Sequence, residues 1–72
     1  MTTYNGPLRL AELPAGPVRD FAAMLAGRHS PATLRAWQHG PVNAGDCEHW
    51  GILPAEWRCA VNAALGERLA TA

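Results

Sequence analysis

The sequence predicts an all-α fold, a small domain of three to four helices. Three observations predict it. Apolar residues recur at helical spacing, proline and glycine fall where helices would begin and end, and no stretch sustains the alternation of a strand. The 72 residues suffice for one domain, and 49% of them are apolar against 17% charged, a globular balance rather than a disordered one. A core this small supplies only a few kcal/mol, so its tryptophans Trp37, Trp50 and Trp57 read first as packing residues.

The elements follow in chain order. Residues 1–16 form an arm. Asn5-Gly6-Pro7 is a turn signal, Pro14 and Pro17 forbid any long element, and Leu8, Leu10 and Leu13 are laid over the core. The first helix is expected from Pro17 to Ala26. Proline is well suited to the first helical position, and Val18, Phe21, Ala22 and Leu25 fall on one stripe. Gly27 is expected to stop it. The second helix has the clearest limits, with Ser30 as N-cap, Pro31 behind it and Gly40-Pro41 as terminator. Its Leu34 and Trp37 share a core face, while Ala32, Arg35, Ala36 and His39 line the other side.

Residues 41–53 read as a connector in which Asp46 caps one short turn, Cys47 to Trp50, closed by Gly51. The last helix is expected over 54–70, with Glu56 in its first turn. Its apolar stripe is Trp57, Ala60, Val61, Ala64 and Leu65, with Leu69 as an extension, and Gly66 weakens its final turns.

Phe21 to Gly40 resembles the helix-turn-helix of small bacterial and phage regulators. The residues that carry it are an alanine-rich first helix, the Leu25-Ala26-Gly27 end, the Ser30 cap, and Thr33-Leu34-Arg35-Ala36-Trp37 before Gly40. The resemblance implies a helix-turn-helix-like unit over 17–40, a regulatory role and a DNA partner, with a homodimer as its working form. The N-terminal side chains of the second helix would then reach the base edges. On that reading Arg35 and His39 face the groove, Arg28 contacts phosphate with His29 beside it, and Ala32 and Ala36 permit close approach. The turn from Gly27 to Ser30 is one residue longer than the usual Gly-x-Ser. It either re-aims the second helix or makes the unit an ordinary helical hairpin.

Charge leaves a second class open. The net charge is zero, which argues against a protein that merely coats nucleic acid, yet residues 21–45 hold Arg28, Arg35, His29 and His39 and no acid. All the basic residues other than histidine are arginine. Neutrality and three tryptophans equally suit a protein-interaction module, which would dock on a protein partner through a Trp or Ala face. In size and plainness such a module is similar to small phage-type inhibitors, anti-CRISPR proteins among them. A weaker echo of the first unit lies in Cys47 to Arg58.

Other chemistries are not expected. Cys47, His49, His39 and Cys59 lack the paired spacing of structural zinc ligands, so neither a metal nor a cofactor is expected. Cys47 and His49 make a poor nucleophilic pair, and no phosphate-cradling loop, His-Glu-x-x-His or paired carboxylate points to an enzyme or a small-molecule substrate. No apolar run is long enough for a membrane span, and Met1 to Gly6 lack the order of a signal peptide. The expected compartment is therefore the cytoplasm, with Cys47 and Cys59 as free thiols; a disulfide between them is the alternative.

Overall fold

The computed structural model describes residues 9–71. It is all-α, with a 3-10 turn at Leu10–Glu12 and four helices: α1 Pro17–Arg28, α2 Pro31–His39, α3 Ala44–Trp50 and α4 Pro54–Thr71. No strand occurs among the described residues, and no helix in them is long and apolar enough to cross a membrane.

The helix starts follow side-chain chemistry. Ser30 Oγ accepts from the Thr33 amide at 3.2 Å, and Pro31 takes the position whose missing amide costs nothing. At α4 the Glu56 carboxylate reaches back to accept from the Leu53 amide at 2.7 Å, the acidic half of a capping box. At α3 the cap is Asn43 rather than Asp46. The Asn43 side chain accepts from the Asp46 amide at 3.1 Å, so the helix begins three residues earlier than the sequence predicts. Asp46 is thereby left to accept from the Trp57 indole nitrogen at 3.4 Å. Gly51 closes α3 in the left-handed conformation (φ 66°, ψ 40°), where a side chain would be strained.

Gly27 does not stop α1. It keeps a right-handed backbone and the helix runs on to Arg28, with the His29 amide still bonded to the Leu25 carbonyl. The stop comes from Pro31, which drives the preceding Ser30 out of helical geometry (ψ 160°). The connection between α1 and α2 is therefore His29-Ser30 alone.

α4 is the organising element. Trp57, Ala60, Val61, Ala63, Ala64 and Leu65 are all buried on it, and α1, α2, α3 and the 3-10 turn all pack against it. Ala63 joins the expected stripe because α4 is covered from several sides; Leu69 lies beyond that cover and is 50% exposed. Against α4 come Phe21, Ala22, Leu25 and Ala26 of α1, Leu34 of α2, and Leu13 and Ile52 from the connections. Leu13 is the buried leucine of the arm, Leu10 is half-buried, and Leu8 lies outside the described residues. All three tryptophans join the core: Trp57 is buried, Trp37 stacks on it with ring centroids 6.0 Å apart, and Trp50 tilts against Phe21 at 5.4 Å. Among the described residues the α1 and α2 backbones meet marginally at most, so α4, rather than α1, sets the direction of α2.

Candidate partner-binding face of α2

α2 is short and divides cleanly. Leu34 is its one buried side chain, and Trp37 and Gln38 are half-buried beside it. Ala32, Arg35, Ala36 and His39 are all exposed, the outcome that a 3.6-residue period dictates once Leu34 is seated on α4. Ala32 and Ala36 alternate with Arg35 and His39, which gives a low surface carrying one guanidinium and one imidazole.

Arg28 lies exposed at the last turn of α1. Neither Arg28 nor Arg35 has a hydrogen-bond or ion-pair partner among the described residues, so both guanidinium groups are available to a partner. His29 is placed differently. It is half-buried, with its ring tilted against Trp37 at a centroid separation of 4.8 Å. Its ring packs on Trp37 rather than projecting with the other residues.

The far end of α2 is held by groups that sequence reasoning missed. The Arg58 guanidinium donates to the Gln38 carbonyl at 3.1 Å and to the Gly40 carbonyl at 2.8 Å. Gln38 in turn donates its side-chain amide to Asn62 Oδ1 at 2.6 Å. Gly40-Pro41 was the available signal. Pro41 has no amide to return to the last turn, so the carbonyls there need a donor from elsewhere in the fold. A cation at this end also suits the negative pole of the helix.

Beside this clamp lies an open pocket of about 290 Å³, lined by Ala36, Trp37, Gly40, Pro41, Asn43 and Trp57. Ala36 belongs both to the pocket and to the exposed face, so the two surfaces are continuous. The pocket walls are largely apolar, and the Trp57 indole nitrogen is turned aside toward Asp46.

Elsewhere Arg9 and Glu67 form an ion pair at 3.0 Å, which ties the 3-10 turn to α4. The bond from Arg9 and a second from the Leu10 amide hold the Glu67 carboxyl below its usual range. Cys47 and Cys59 are half-buried free thiols, and no group of three metal-ligating side chains assembles among the described residues. No protein family, curated protein or solved structure matches the chain.

Proposed function

We propose that the chain is a small cytoplasmic DNA-binding regulator that meets duplex DNA with the outer face of α2. The observation that carries this reading is the exposed Ala32, Arg35, Ala36, His39 face, set in an acid-free segment with Arg28 and Arg35 unpartnered among the described residues. Arg35 and His39 take the groove-facing roles, Arg28 takes a phosphate, and the alanines let the helix sit deep. A face of this size reads few base pairs, so a dimer is the working form that would give a useful site length. Fluorescence anisotropy with DNA at low salt tests it. Arg35→Ala and Arg28→Ala should each weaken binding about tenfold, with a shallow salt dependence that reflects few phosphate contacts. Unchanged affinity in both variants refutes the proposal.

One observation favours a second reading, in which α2 docks on a protein partner in the manner of a small phage-type inhibitor. The pocket between α2 and the start of α4 offers an apolar recess continuous with the same face. Salt separates the two readings: an apolar interface keeps its affinity as salt rises, whereas DNA binding falls.

A further inference from the structure

We propose that Arg58 is a positioning residue for the α2 face: it never touches the partner, and it sets the angle at which α2 is presented. The inference rests on the DNA-binding reading above. α2 is a nine-residue helix with a single buried side chain, too short and too lightly seated to hold its own direction. Leu34 fixes a point near its middle. The direction is set at the C-terminal end, where the Gln38–Asn62 bond ties α2 to α4 and two consecutive residues of α4 add to it. Trp57 stacks on the Trp37 ring, and Arg58 spans the Gln38 and Gly40 carbonyls with its guanidinium. Pro41 removes the local alternative, since it has no amide to give. Arg58 is half-buried, and both its bonds run inward to the end of α2, so this cation serves the scaffold while Arg35 and His39 stay exposed. Its planar fork suits two carbonyls at once, which a single lysine amine reproduces only in part.

The test uses the full chain and a short mixed-sequence DNA duplex. Binding of wild type, Arg58→Lys and Arg58→Ala is followed by anisotropy over a range of salt, at temperatures where circular dichroism shows each variant folded. Amide hydrogen exchange is recorded alongside. We expect Arg58→Ala to bind roughly tenfold more weakly, from the loss of two charge-assisted hydrogen bonds, with Arg58→Lys in between. The salt slope should stay at the wild-type value in both, and the Gly40 amide, bonded to the Trp37 carbonyl at 3.2 Å, should lose protection in step with affinity. A slope shallower by about one in Arg58→Ala overturns the proposal, because Arg58 would then be a phosphate contact itself. Unchanged binding despite lost protection overturns it too, and leaves the role of Arg35 standing. If the wild type fails to bind the duplex, the functional reading falls and takes this role with it. Should Arg58→Ala not fold, the lysine variant carries the same comparison.

Discussion

Truncating Leu34 to alanine asks how firmly α2 is seated. Leu34 is completely buried, at 0% exposure, and no other side chain of α2 is. The change removes three carbons at about 0.8 kcal/mol each and leaves a cavity that α4 cannot collapse into, for a loss of about 3 kcal/mol. A domain of this length holds about 4–11 kcal/mol in all, so the variant should remain folded but with a large part of its margin gone. Urea unfolding measures this directly, because Trp37 and Trp57 report tertiary packing by fluorescence while far-ultraviolet circular dichroism reports helix. With a slope of about 1 kcal/mol per molar, the midpoint should fall by about 3 M with the slope unchanged. The exposed neighbour Arg35→Ala should stay within about 0.5 kcal/mol of wild type. A Leu34→Ala loss below about 1 kcal/mol would refute the reasoning, as would a fluorescence transition that precedes the loss of helix. Either result would mean that α2 is not packed as part of one cooperative unit.

Two further outcomes concern the ends of the fold. A methyl group at Gly27 meets nothing within 4 Å, and the backbone there is ordinary helix, so Gly27→Ala should stabilise the protein by about 0.5–1 kcal/mol in the same urea assay; a loss instead would mean the glycine serves as a stop after all. Glu67 holds its proton less tightly in the folded chain, so its contribution is complete above the ordinary carboxyl value of 4.5 and drains away as pH falls below that through the lower folded value. Glu67→Gln should therefore flatten the stability–pH curve below 4.5 and leave its shape near neutrality unchanged, as followed by thermal melts across an acid series.

What the sequence made legible was what neighbouring residues decide among themselves. Ser30-Pro31 and Gly40-Pro41 bound α2 by local sterics and capping, and the Phe21, Ala22, Leu25 stripe and the Leu34/Trp37 face follow from helical period. Errors arose where several local solutions compete. Gly27 can end a helix only by turning left-handed, and Pro31 decided the matter first. Asn43 and Asp46 are both good caps; Asn43 takes the role, and Asp46 accepts instead from the Trp57 indole nitrogen eleven residues on, a partner that only the fold brings near. On the candidate face, the exposure of Ala32, Arg35, Ala36 and His39 was readable from period alone. The inward turn of His29 and the grip of Arg58 were not, because each depends on a ring or a carbonyl brought in by the fold.

The dependence of every element on α4 governs the order in which this protein can come into being. During synthesis the 3-10 turn, α1, α2 and α3 all leave the ribosome before the helix on which all of them pack. α1 and α2 have little to hold them as a pair in the meantime, since each makes its main contacts with α4. The contacts that α1 and α2 make with α4 join distant parts of the chain, which slows folding relative to a bundle of sequential hairpins. The cover over Phe21, Leu25, Leu34 and Trp37 is therefore complete only once residues 54–71 have emerged.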